Sequence, residues 1–319
     1  MKERLPILAT ALVCGLLYVA AGLRFEGFFS LRVFFNFLSD NAFLGVIAVG
    51  LTFVILTGGI DLSVGAMVGC AGIMAASLIT RSGWHPVPAA LVVLAFGCAV
   101  GLAHGSLIHY FNLPPFLVTL GGLFFCRGLS LWLSHESMQI DHPFITGLGE
   151  MVVRLPGGAS LPLSTMVWLV VLLVGGFVAK QTRFGRTTYA MGGSEASAVL
   201  MGLPVARTKV GIYTLSGFCG ALGGLVFSLY TGSGNALSGT GLELDAIAAV
   251  VIGGTLLSGG YGSVLGSFLG VLILGIIQTA ITFEGTLSSW WTKIVIGILL
   301  LIFILLQKLI EGAASTRAT

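Results

Sequence analysis

Charged side chains are scarce in this chain. Asp, Glu, Lys and Arg make up 8% of its 319 residues, whereas soluble globular proteins carry about 25%. The formal net charge of +3 is spread along the sequence and forms no basic face, which argues against nucleic acid as a partner. Since 56% of the residues are apolar, we expect lipid rather than water to be the main solvent.

Motifs for nucleotide, metal and redox chemistry are also missing. There is no G-x-x-x-x-G-K-[ST] phosphate-binding loop, so any work driven by ATP must be done by a separate subunit. The five cysteines stand alone within apolar runs, without CxxC or metal-ligand spacing. His104 and His109 do not share a helix face and have no carboxylate near them in the sequence. We therefore expect no catalytic residues, metal site or bound cofactor in this chain.

Long apolar runs are the main feature that the sequence does contain. A helix needs about 20 apolar residues to cross a hydrocarbon core about 30 Å thick, and 47 glycines are compatible with helices that pack backbone to backbone in lipid. The sequence predicts an all-α integral membrane protein with about ten transmembrane helices, a glycine-rich packed bundle that forms one permease domain over residues 1–319. The predicted spans are 6–23, 41–57, 63–80, 87–110, 114–134, 163–180, 210–231, 244–257, 263–283 and 291–307.

Glycine-rich joints leave two pairs of predicted spans almost continuous. These pairs are 41–57 with 63–80 and 244–257 with 263–283, and either could contain a broken or re-entrant helix. The two joints also share a pattern, Gly58-Gly59 before Ser63 and Gly259-Gly260 before Ser263. Internal repeats are common in transporters, so the pattern is explained either by a duplication or by two independent glycine joints in a tightly packed bundle.

The basic residues predict how the chain is oriented. Lys and Arg that flank membrane spans stay preferentially in the cytoplasm. With the N-terminus inside, nine such residues are cytoplasmic and five lie on the other side. The orientation predicts that both termini are cytoplasmic, that the loop 135–162 is external and that the loop 181–209 is cytoplasmic. The nine cytoplasmic residues are Lys2, Arg4, Lys180, Arg183, Arg186, Arg207, Lys209, Lys308 and Arg317, and the five external ones are Arg24, Arg32, Arg81, Arg154 and Lys293.

The cytoplasmic loop contains signals for a short helix. Ser194 is a suitable N-cap, and Glu195 complements the positive end of the helix dipole. Gly202 supplies a left-handed stop, and Pro204 prevents continuation. The predicted helix, 195–201, has an apolar side that something must cover. It is either a docking helix for a cytoplasmic motor subunit or a helix lying in the lipid interface.

A few charged residues fall within or at the edge of predicted spans, where charge is expensive. Asp61 follows a glycine joint, Arg127 interrupts the fifth span, and Glu243 and Asp245 open the eighth. Each is a functional candidate, and for each the alternative is a structural ion pair or a helix cap.

Three motifs identify a resemblance that runs from end to end of the chain. They are residues 57–65 (TGGIDLSVG), residues 184–196 (FGRTTYAMGGSEA) running on to Gly202, and residues 244–262 (LDAIAAVVIGGTLLSGGYG). The chain resembles the permease family of ribose-type and related monosaccharide ATP-binding-cassette (ABC) importers. Its tail, residues 283–293 (FEGTLSSWWTK), is similar to the galactofuranose-importer branch of that family.

The resemblance implies a translocation subunit of the bacterial inner membrane that makes no covalent change in its substrate. It implies that Ser194, Glu195, Ala196 and Gly202 belong to a coupling helix seated in a cytoplasmic ABC ATPase, which uses ATP and Mg²⁺. It also implies a second permease, a heterodimer partner more readily than a homodimer partner, and a periplasmic sugar-binding protein. Ser197 and Val199 depart from the family pattern, so a charged contact expected at Val199 is missing.

The expected function is therefore alternating-access import of a monosaccharide. An uncharged sugar needs only a transient polar path along broken helices, for which the candidate residues are Asp61, Ser63, Asn112, Thr119 and Asp245. The main rival is a secondary transporter or channel without an ATPase, and an intramembrane enzyme is a second rival. The former needs a buried relay of titratable groups and the latter a nucleophile with its base, and the sequence shows little sign of either.

Overall fold

The structure is a computed structural model that describes residues 5–286 and 290–315. Lys2, Arg4 and Arg317, three of the residues behind the predicted orientation, lie outside those ranges, and so do residues 287–289 of the galactofuranose-like tail. The side chain of Lys308 also lies outside what is described.

The described helices are α1 Leu5–Arg24, α2 Leu31–Asp40, α3 Ala42–Leu56, α4 Ser63–Ala76, α5 Pro86–Tyr110, α6 Pro115–Leu133, α7 Pro143–Gly149, α8 Leu163–Gln181, α9 Arg183–Gly193, α10 Glu195–Leu200, α11 Val205–Thr231, α12 Leu242–Ile252, α13 Val264–Glu284 and α14 Trp290–Ser315.

The all-α prediction is confirmed, but the described residues do not confirm ten complete spans. Within the described residues, seven helices are long and apolar enough to cross a membrane alone, and the bent pair α2 and α3 makes an eighth. The described apolar part of α14, Trp290–Leu305, is shorter than those seven. The seven helices are α1, α4 with its π-helical extension Ser77–Arg81, α5, α6, α8, α11 and α13.

The predicted spans 41–57 and 244–257 are not confirmed as crossings made by one helix alone. Helix α3 has 15 residues, about 22 Å, and α12 has 11 residues, about 16 Å, so neither spans a hydrocarbon core about 30 Å thick. Helix α3 instead continues α2 after a bend of 57°. The bend lies at Asn41, between α2 and α3, and not at either glycine joint, so a broken or re-entrant helix at those joints stays a prediction.

Helix α12 begins inside the bundle rather than at its edge. Before it, residues 233–241 run beside α4, where Gly239 and Ser238 approach Gly65 and Gly69. After it, the chain leaves the helix at Gly253 and reaches α13 through the second glycine joint. Thr10 of α1 donates a hydrogen bond of 3.1 Å to the carbonyl of Ile252, which satisfies one acceptor at the end of this half-length helix.

The segment between α6 and α8 forms a small layer at one end of the bundle. Strand β1 (Met138–Gln139) pairs with β4 (Ser233–Gly234), and β2 (Val152–Arg154) pairs with β3 (Ser160–Pro162), both antiparallel. The pairing of β1 with β4 ties this layer to the end of α11.

Helix α3 lies at the centre of the molecule, and nearly all of its residues are buried. Helix α11 crosses it and packs against α4 and α5 through glycines. A Cβ on Gly105 would lie 2.6 Å from Cα of Val210, and one on Gly224 would lie 2.7 Å from the carbonyl oxygen of Val68. These approaches confirm the predicted close packing of glycine faces.

Candidate functional site

The loop between α8 and α11 folds as its capping signals predict. The Ser194 hydroxyl accepts a hydrogen bond of 3.2 Å from the Ser197 amide, which caps α10 at Glu195. The helix ends at Leu200, one residue earlier than predicted, and Gly202 has the left-handed φ of +73° that stops it. Local chemistry therefore determines this helix, with both ends satisfied by neighbouring residues.

Helix α10 packs against the rest of the protein through one buried side chain, and its other side chains are exposed. Ala198 is fully buried against Met191 and Val205, whereas Val199, Leu200 and Met201 are exposed, Leu200 to 88%. Three adjacent apolar side chains on a capped helix form a surface that a partner can cover. We call Val199, Leu200 and Met201 the apolar tip.

Glu195 holds α10 against the first turns of α11. Its carboxylate pairs with the ammonium group of Lys209, which is largely covered. Ala196 is exposed on the same short helix. Since α11 begins at Val205, directly after Gly202 and Pro204, the ion pair makes α10 and the N-terminal end of α11 one unit.

Helix α9, which directly precedes α10, connects α10 to the bundle. The Ser194 amide donates to the carbonyl of Ala190, so α9 and α10 meet without a flexible linker. The Tyr189 hydroxyl donates a hydrogen bond of 2.9 Å to the carbonyl of Gly262 in the second glycine joint. Burial, and secondarily the neighbouring Tyr261, raise the pKa of Tyr189, which keeps the phenol protonated as a donor.

Asp61 lies at the first glycine joint as the centre of a buried polar cluster. It is 1% exposed. Its Oδ1 accepts hydrogen bonds from the Ser63 amide at 2.9 Å and the Ser63 hydroxyl at 2.6 Å, and its Oδ2 accepts one from the Ser216 hydroxyl at 2.7 Å. One carboxylate thus joins the start of α4 to the middle of α11, which is the arrangement that a buried charge requires.

Helices α5 and α6 complete this cluster. Thr119 of α6 is fully buried, and its hydroxyl lies 3.4 Å from the carbonyl oxygen of Ile60. His104 of α5 is buried within electrostatic range of Asp61, although no carboxylate stands near it in the sequence. The structure therefore brings together Asp61, Ser63 and Thr119 among the candidate path residues, and adds His104 and Ser216.

Asn112, also a candidate path residue, does not join the cluster. It is exposed in the connection between α5 and α6 and has a φ of +52°. Asn tolerates this left-handed conformation, and its position after α5 is that of a helix stop. Its described surroundings support a role in the turn.

Asp245 is the other candidate that lies apart. Its carboxylate pairs with Lys293 of α14, and the pair lines a cavity of about 530 Å³ together with Asn41 and Gln278. The ion pair ties the first turn of α14 to the first turn of α12, which favours the structural alternative for Asp245.

Arg127 and Glu243 have the same kind of explanation. The guanidinium of Arg127 donates to the carbonyls of Ala236 and Ser238, the latter at 3.0 Å, and Glu243 lies within its electrostatic range. Arg127 thus holds the non-helical segment before α12, whose backbone carbonyls need donors inside the membrane.

The described residues contain no group of three or more His, Cys, Asp and Glu side chains placed to hold a metal ion. This geometry is suited to transmitting movement between helices and to contacting a polar, uncharged solute. A capped helix with an exposed tip joins, through α9 and α11, two breaks in membrane helices, and one of these breaks is surrounded by hydroxyl groups.

Comparison with known proteins identifies the family of this chain. A profile described as "Branched-chain amino acid transport system / permease component" matches residues 33–304. The chain belongs to this family. It is accordingly a permease component rather than an enzyme, and a multi-pass protein of the inner membrane.

Individual relatives cover nearly the whole chain. The inner membrane ABC transporter permease protein YjfF of Escherichia coli K12 is 52% identical over 308 residues, covering 97% of this chain and 93% of the relative. The fructose import permease protein FruG of Bifidobacterium longum is 38% identical and covers 99% and 94%. The ribose import permease protein RbsC of Bacillus subtilis is 40% identical and covers 86% and 84%.

Proposed function

We propose that this chain is the translocation subunit of an ATP-driven monosaccharide importer. The observation that carries the proposal is the coupling loop, in which a capped helix with an exposed apolar tip is rigidly joined to the membrane helices. The relatives named for ribose and fructose import support a sugar as the substrate class, although the family description refers to amino acids. The translocated sugar is neutral, so the hydroxyl-rich cluster at Asp61 is chemically suited to its path.

The partners follow from the same proposal. A cytoplasmic ABC ATPase covers the apolar tip and supplies ATP and Mg²⁺ chemistry, a second permease completes the path, and a periplasmic binding protein delivers the sugar. We propose a heterodimer of permeases. The lipid bilayer surrounds the exposed apolar faces of α1, α5, α6 and α8.

The substrate that we propose is galactofuranose or a closely related sugar. The support is the sequence of the tail around Trp290 and Trp291. Purified assemblies in vesicles should take up labelled galactofuranose several times faster than galactopyranose or ribose when ATP is supplied on the ATPase side. Equal uptake of all three sugars would remove the galactofuranose assignment and leave the importer assignment in place.

Gentle detergent extraction tests the importer itself. Affinity purification of the tagged chain should recover a subunit that hydrolyses ATP, and replacement of Leu200 by Glu should lose that subunit because it places a charge in the apolar tip. Replacement of Met151 by Glu, at an exposed position outside the membrane spans in the layer between α6 and α8, is the matched control and should retain it. If the unaltered chain recovers no ATP-hydrolysing subunit, a secondary transporter or channel becomes the better explanation.

A further inference from the structure

The two glycine joints lie against each other, although about 200 residues separate them in the sequence. The amide of Gly260 donates a hydrogen bond of 2.8 Å to the carbonyl of Leu56. A Cβ on Gly58 would lie 3.2 Å from the carbonyl oxygen of Ser258. The contact is therefore between main chains, at the points where α3 gives way to α4 and α12 gives way to α13.

Helix α9 enters the same contact from the cytoplasmic loop. Gly192 lies so close to both joints that a Cβ there would be 2.8 Å from Cα of Gly260 and closer still to the carbonyl oxygen of Leu56. We call Leu56, Gly58, Gly192, Ser258 and Gly260 the glycine junction. Gly193, the next residue, has nothing within 4 Å of a Cβ built on it, so the close fit is specific to Gly192.

A junction of this kind is suited to transmitting displacement. Packed interiors have low compressibility, and a contact between main chains has no side chain that can change rotamer to absorb a movement. The Tyr189 hydrogen bond to Gly262 adds a second attachment between α9 and the joint before α13. Helix α10 follows α9 directly, so a force on the apolar tip reaches both joints along a short path.

We propose that Gly192 and Tyr189 are positioning residues for transport, through which α9 passes the displacement of α10 to both helix joints at once. This inference rests on the proposed function, because it assumes that an ATPase moves α10. It goes further because it names Gly192 and Tyr189 as the residues through which that movement reaches the membrane helices. Simultaneous displacement of both joints changes the angles of α4 and α13 together.

The test uses the complete transporter in vesicles, with ATP hydrolysis and uptake of labelled galactofuranose, galactopyranose and ribose measured on the same sample. Tyr189→Phe removes one hydrogen bond and should lower the sugar imported per ATP hydrolysed by about two- to tenfold. Gly192→Ala should lower this ratio further. The matched controls are Gly193→Ala, which meets no neighbour, and Tyr230→Phe, which removes a hydroxyl that donates to Asp40 elsewhere in the fold. Both controls should keep the unaltered ratio.

The outcomes distinguish failure of the junction role from failure of the proposed function. If the unaltered transporter couples ATP to uptake and Tyr189→Phe keeps the same ratio, the junction role is wrong while the proposed function stands. If Tyr189→Phe lowers hydrolysis, uptake and thermal stability in proportion, its role is purely structural and the inference is again overturned. If the unaltered assembly imports none of the sugars with ATP, both proposals fail together.

Discussion

At the scale of single residues, the buried carboxylate of Asp61 is the most informative feature. No Lys or Arg makes an ion pair with it among the described residues, and its hydrogen bonds come from Ser63 and Ser216. A carboxylate in such a place depends on each donor, because an unsatisfied charged acceptor away from water is costly. The bond from Ser216 connects it to α11.

Replacement of Ser216 by Ala tests this connection. The change removes a donor to a buried carboxylate and should lower the free energy of unfolding by about 1.5–3 kcal/mol, measured as a lower midpoint of denaturation in detergent. The matched control is Ser228→Ala in the same helix. The Ser228 hydroxyl is buried and has no hydrogen-bond partner within the described residues, so its removal should be neutral or slightly stabilising. Equal losses from the two variants would contradict the connection.

At the scale of elements, α10 acts as a unit with the start of α11. Ser194 caps the N-terminal end of α10, and the left-handed Gly202 terminates its C-terminal end. The ion pair between Glu195 and Lys209 attaches α10 to α11. The geometry therefore depends on how Gly202 ends the helix as much as on how Ser194 begins it.

A graded pair of substitutions at Gly202 tests the helix end. Proline has a φ near −65° and cannot adopt +73°, and it also removes the amide that donates to Val199. Gly202→Pro should therefore reduce sugar uptake at least about tenfold while the chain still inserts in the membrane. Gly202→Ala costs only about 1–2 kcal/mol of backbone strain and should have an intermediate effect. Normal uptake by the proline variant would remove this helix from the coupling role.

At the scale of the whole molecule, the two ends of the bundle carry different structures. One end has the loop 181–209 with the apolar tip of α10, and the other has the layer built from α7 and the short strands. The distribution of Lys and Arg predicts that the first end is cytoplasmic and the second is external.

Labelling with a membrane-impermeant maleimide tests the orientation. Leu200→Cys and Met151→Cys place thiols at exposed positions at opposite ends, whereas three of the five native cysteines are buried and the other two are partly buried. Right-side-out vesicles should be labelled at position 151 and inverted vesicles at position 200. The reverse pattern would place the loop 181–209 outside and would falsify the importer proposal.

Much of the fold could be predicted from the sequence because its signals are local. Hydropathy over about 20 residues identifies the seven long helices, and the residues from Ser194 to Pro204 specify the capped helix without help from the rest of the chain. The two joints were also recognisable from their glycines. The bent continuation of α3 by α2 and the 11-residue length of α12 were not, because an apolar run is equally compatible with a complete span and with a shorter helix buried inside the bundle.

By itself, the sequence determined that this protein lies in lipid, where its seven long apolar helices lie, and which motifs connect it to permeases. Only the tertiary structure decided that the two joints and Gly192 meet, that His104 and Ser216 approach Asp61, and that Lys293 pairs with Asp245. The physical reason is the distance along the sequence over which each kind of interaction acts. Hydropathy and capping act within one helix, whereas these contacts join segments tens to hundreds of residues apart, whose approach depends on how every intervening helix packs.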